Sequence, residues 1–127
     1  MNRTRKYIIN KSEAESYSPP RHIGTINYRM SGKGGLPSQN LEVLIGELKK
    51  GSEAQYHYHK KSEQVIFVLQ GDCEVEFQDG TREKASVDDL IHFPVNMGHR
   101  IVVLSDEFKA LVIYSPHLTD DDMIPID

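Results

Sequence analysis

The stretch Gly51-Ser-Glu-Ala-Gln-Tyr-His57-Tyr-His59-Lys-Lys-Ser-Glu63-Gln64-Val-Ile-Phe-Val-Leu-Gln-Gly71 decides how this chain is read. Successive side chains of an extended segment point to opposite faces, so His57 and His59 share a face and converge. A third imidazole, His99, stands forty positions after His59 in Pro94-Val-Asn-Met-Gly98-His99, at the end of a turn that enters another apolar run. Three imidazoles so arranged point to a metal, since neutral imidazole is a favoured ligand of divalent transition ions.

The first stretch resembles the first cupin motif, G(X)5HXH(X)3,4E(X)6G. The run Asp88-Asp89-Leu-Ile-His-Phe-Pro94-Val-Asn-Met-Gly98-His99 resembles the second, G(X)5PXG(X)2H(X)3N. Both motifs in order, inside a strand-rich chain of this length, make it similar to a small single-domain cupin with a type 2 conserved barrel. The resemblance implies an all-β fold, the cupin double-stranded β-helix or jelly-roll barrel.

Carried over position by position, the family histidines fall on His57, His59 and His99. Counting back six intervening residues from Gly71 places the metal-binding glutamate of the family on Gln64. The implied metal set is therefore His57, His59, Gln64 and His99. Glu63 is the competitor, because the shorter spacer of the motif allows it. It would leave seven residues before Gly71, however, and on a continuous strand its side chain faces away from that of Gln64, so Gln64 is favoured. Asp88 and Asn96 stand where the second motif has glycines; these are turn positions, and Asn tolerates left-handed backbone.

Carboxamide in place of carboxylate has a physical consequence. Three neutral imidazoles and an amide oxygen leave most of the charge of a divalent ion uncompensated, which favours anions and polarised carbonyl or enolate oxygens but weakens the hold on the ion. Some cupins that linearise unsaturated uronic acids resemble this chain in using three histidines and a glutamine. The cofactor expected is a divalent transition metal ion, and imidazole-rich sites accept Zn, Ni, Fe, Mn or Cu. His22, His92 and His117 are read as surface or satisfied core residues.

Composition narrows the partners. Fifteen basic and 19 acidic residues, intermixed, give a net charge of -4 and no basic stripe for a phosphate backbone, so nucleic acid is not expected. No apolar run approaches a membrane span, and the apolar part of the N-terminal segment is too short for a signal-peptide core, so no membrane partner and a cytoplasmic location are expected. The lone cysteine, Cys73, alternates with Val75 and Phe77 and is read as packing.

Short runs rich in Val, Ile and Phe, separated by Gly, Asp, Asn, Ser and Pro, predict strands over 41–48, 64–70, 73–78, 81–85, 90–93, 99–104 and 108–115. Asp79-Gly80 predicts a type I′ hairpin turn, and 49–52 a further turn. Three regions follow: an arm over 1–40 with edge strands at 6–10 and 24–29, a Pro19-Pro20 turn and a glycine-rich loop; a barrel over 41–118; and a solvated acidic tail over 119–127. If the histidines face inward, strand parity puts Ile66, Val68, Ile101 and Tyr114 at the ligand cavity. The opposite faces carry Val102, Leu104, Leu111 and Ile113, which need cover and predict a homodimer. The function expected is a metal-dependent enzyme polarising a carbonyl, carboxylate or enolate of a small, oxygen-rich, anionic substrate, of the sugar-acid isomerase, ring-opening or dioxygenase type. The alternative is a non-catalytic cupin that binds metal and a small ligand. No general acid or base stands out in the sequence.

Overall fold

The computed structural model describes residues 4–19, 22–119 and 121–126. Residues 1–3, Pro20 of the expected Pro-Pro turn, and Asp120 and Asp127 of the tail lie outside the described residues. Among the described residues ten strands follow one another: β1 (Ser16–Tyr17), β2 (His22–Ser31), β3 (Glu42–His59), β4 (Glu63–Gln70), β5 (Cys73–Phe77), β6 (Arg82–Ala85), β7 (Leu90–Phe93), β8 (His99–Val103), β9 (Glu107–Ser115) and β10 (Met123–Pro125). All pair antiparallel in one sheet of order β6-β5-β8-β3-β9-β4-β7, with β2 and β10 also on β3, and β1 on β2. The sheet wraps into the nearly closed barrel of the cupin fold, and a cleft lined by residues of β5, β6 and β7 separates its two end strands.

Alternation along the strands builds the core. In β9 the pattern is strict: Phe108, Ala110, Val112 and Tyr114 are buried, while Lys109, Leu111 and Ile113 are half-buried on the other face. β4 does the same with Gln64, Ile66 and Val68, and β8 with His99, Ile101 and Val103. Leu44, Val68, Cys73, Val75 and Phe93 are almost wholly enclosed. Burial pushes the Cys73 thiol up to about 12, which makes it a packing group rather than a nucleophile.

Four local expectations are corrected. Residues 6–10 form no strand; Tyr7 and Ile8 stay exposed, and the chain enters a 3-10 turn, Lys11–Glu13. Its cap explains the change, since the Asn10 side chain accepts from Ser12 N while Glu13 Oε1 accepts from Asn10 N, a local pair that competes with extended backbone. Residues 49–52 do not end the strand: β3 runs through them, bending at Gly51, whose φ is 82°. The 77–81 hairpin is not type I′. Gly80 N donates to Phe77 O, Phe77 N donates to Thr81 O, and Gly80 alone takes positive φ, the three-residue loop with a bulge. Finally, the acidic tail is not all solvated, because Asp122 is completely buried and Met123–Pro125 pairs with the histidine end of β3.

Candidate metal centre

The long strand β3 delivers both histidines of the pair inward, His57 at 3% and His59 at 4% exposure. His99 opens β8 directly opposite His57 in the ladder. β4 brings in Gln64, opposite Tyr114 on one side and Phe93 on the other. The ligand atoms of His57, His59 and His99 lie within 4.8 Å of one another, so three buried imidazoles from two strands can hold one metal ion.

Each ring is oriented through its Nδ1. That atom meets the Gln55 carbonyl at 2.6 Å in His57, the Asp122 carboxylate at 3.2 Å in His59, and the Met97 carbonyl at 3.1 Å in His99. A neutral ring whose Nδ1 donates to an oxygen carries its lone pair on Nε2, the tautomer of a metal ligand. Phe93 stacks on the His99 ring at 3.8 Å and fixes its plane. Burial, reinforced by His57, lowers His99 to about 3 and His59 to about 4, with Asp122 opposing the shift at His59. The two rings are thus neutral near pH 7.

Gln64 Nε2 donates to the Tyr114 hydroxyl at 3.1 Å, which leaves Oε1 as a buried acceptor with no hydrogen-bond partner. His59 Nε2 is also buried and unpartnered. Orphaned buried polar atoms are costly. Of these two, one is an amide oxygen of a residue that lines the cavity with His57 and His99, the other a nitrogen of the three-histidine cluster, and a divalent transition ion takes both donor types. Glu63 lies outside, exposed and 2.7 Å from His92 Nε2.

The cavity beside the cluster is small, about 50 Å³. Ile66, Ile101 and Tyr114 line it, with His57, Gln64 and His99; Val68 is fully buried in the core and does not line it. Its wall is otherwise apolar, formed by Leu48, Ala54, Phe108, Ala110 and Val112, except along β2. There His22, Thr25 and Asn27 enter it, and His22 Nδ1 and Thr25 Oγ1 are buried without partners. The His22 ring is 6.2 Å from that of His57, and burial lowers its pKa to about 4. His22 is therefore neither a surface nor a satisfied core residue; His92 is exposed, and His117, half-buried like His22, also has a buried Nε2 without a partner but does not line the cavity. Sequence parity hid the β2 set because Gly24, at φ 74°, marks a register shift that brings both His22 and Thr25 inward. An outer vestibule shares His22, Asn27, His57 and Tyr114 with the cavity and adds Arg29 and Lys33 at its rim.

The family model of the cupin domain matches residues 44–115, and the chain belongs to the cupin family. Among curated proteins it is 29% identical over 117 residues to a probable (S)-ureidoglycine aminohydrolase of Oryza sativa subsp. japonica, covering 91% of this chain and 36% of that protein. The chain thus spans about a third of the length of that relative. Among solved structures, KdgF from Halomonas sp. superposes with a TM-score of 0.72 at 22% identity, covering 88% of this chain and 95% of that one. The polyketide cyclase RemF from Streptomyces resistomycificus gives 0.80 at 16%, covering 100% and 86%. At these identities the two structures show the shared fold. Among the described residues no helix is long and apolar enough to cross a membrane.

Proposed function

We propose that this cupin is a metal-dependent enzyme whose His57, His59, Gln64 and His99 hold one divalent transition ion against a small, oxygen-rich, anionic substrate. A divalent ion in that set supplies Lewis-acid polarisation of a carbonyl, carboxylate or enolate oxygen. The observation that carries the reading is Gln64, which lines the cavity with its Oε1 buried and unpartnered while its Nε2 is tied to Tyr114.

The remaining residues supply recognition. Arg29 and Lys33 at the vestibule draw an anion inward. Thr25 Oγ1 and His22 Nδ1 offer hydrogen bonds to further substrate oxygens along β2. The apolar wall excludes water and takes the carbon skeleton. Sequestering a keto or enol compound from water favours isomerisation or ring opening, and the activities named for the relatives, an aminohydrolase and a polyketide cyclase, lie within small-molecule chemistry. A second copy of the chain covers the half-buried outer residues Val102, Leu104, Leu111 and Ile113, so the working unit is a homodimer.

The test is deuterium exchange next to the carbonyl in a panel of keto acids and cyclic sugar acids, followed by proton NMR. Metal-dependent exchange or conversion that disappears in His99→Ala is the expected result. Tight binding with neither across the panel would favour the non-catalytic binding cupin.

A further inference from the structure

We infer that Asp122 is a positioning residue of the metal centre, fixing the tautomer of His59 and returning, one hydrogen bond behind the ligands, the negative charge that glutamine at position 64 lacks. The inference rests on the metal reading above. Asp122 is completely buried, and each carboxylate oxygen has its own donor. Oδ2 lies 3.2 Å from His59 Nδ1, and Oδ1 accepts from Lys61 N at 2.6 Å. The surrounding backbone is fixed as well: Lys60 N donates to Asp122 O, Asp122 N donates to Thr119 O, and the next residue, Met123, pairs with His59 across the sheet.

Two donors facing one side chain select a group with two acceptor oxygens. Asparagine would turn its NH2 toward either His59 or Lys61 N, and toward His59 it would force the proton onto Nε2, the wrong tautomer for a ligand. Electrostatics points the same way. The side chains of Lys60 and Lys61 pair with exposed Asp121, and among the described residues the one ion-pair partner of Asp122 is His59. A fully buried carboxylate whose one ion-pair partner is the ring of a metal-ligand histidine is compensated by a cation held on the far side of that ring. The donor set itself stays neutral, so Asp122 is the carboxylate hydrogen-bonded directly behind a ligand.

The test uses the full chain, with zinc and cobalt(II) as probes. Dissociation constants by chelator competition, the cobalt absorption spectrum and the thermal midpoint of the metal-free protein are measured for wild type, Asp122→Asn and Asp122→Glu. Asp122→Asn is expected to weaken both ions by about 10- to 100-fold and to shift the cobalt spectrum, with Asp122→Glu recovering most of the affinity. A lower midpoint with unchanged affinity and spectrum in Asp122→Asn would mean that the carboxylate only anchors β10, overturning the inference while the metal reading stands. Failure of wild type to bind either ion sinks both. If Asp122→Asn does not fold, nitrogen-15 NMR of metal-free wild type decides, the Nδ1–H form of His59 supporting the inference and the Nε2–H form overturning it.

Discussion

Gln64 and Glu63 are neighbours in sequence with opposite fates, which makes position 64 the sharpest place to intervene. Gln64 is 5% exposed and lines the cavity, while Glu63 is exposed and bonded to His92. Gln64→Glu should tighten the metal by about tenfold, ~1.4 kcal/mol, through the added carboxylate. It should also weaken any anion that relies on the charge of the ion. Glu63→Gln should leave the metal dissociation constant unchanged; loss of metal there, with no effect at position 64, would reverse the assignment. The resemblance to the cupin motif pointed to position 64, and the period-two rule, which needs only local spacing, made the opposite facing of Glu63 legible. Asp122 was not legible: it is 63 positions from His59, and a run of aspartates reads as solvated unless a partner is known. Nor was His22, whose inward turn depends on a bulge that leaves only a weak trace in Gly24.

Among elements, the strands read well where alternation was regular, as in β4, β8 and β9, and badly where local hydrogen bonds intervened. Residues 6–10 had the apolar content of a strand but lost to the Asn10–Glu13 cap, and β3 passed through a Lys-Lys-Gly-Ser segment that looked like its end. The turn before β8 shows the opposite outcome. Among the described residues, Asp88 and Asn96 are the non-glycine positions with positive φ, 74° and 69°, and both stand where the cupin motif has glycine. Sequence departs there while the backbone does not. Asn96 N also donates to His59 O at 2.7 Å, so this left-handed residue ties the turn to the histidine strand. Asn96→Ala should cost about 1 kcal/mol of stability, since alanine has no local compensation for the left-handed region, and Asn96→Gly should be close to neutral. Urea unfolding of the two variants measures the difference; equal stability would mean that the turn relaxes at no cost.

For the whole molecule, the barrel holds a cluster of neutral imidazoles in its core, and that has consequences for stability and assembly. In the metal-free chain His22, His59 and His99 titrate at about 4, 4 and 3, below the ordinary imidazole value near 6.5. As pH falls below about 6.5 the unfolded chain takes up protons that the folded chain refuses, so stability is full above that value and is lost toward about pH 4. Denaturant midpoints of metal-free protein should therefore be lower at pH 5 than at pH 7; equal midpoints would mean the rings are not buried neutral. Light scattering checks assembly, with a dimer expected and a monomer at high micromolar concentration contradicting the need to cover β8 and β9. The central claim is most directly tested by elemental analysis of protein purified without added metal. About one divalent transition ion per chain, lost in His99→Ala, is the result expected from three converging imidazoles. Less than about a tenth of an equivalent, with no uptake on soaking, would contradict it.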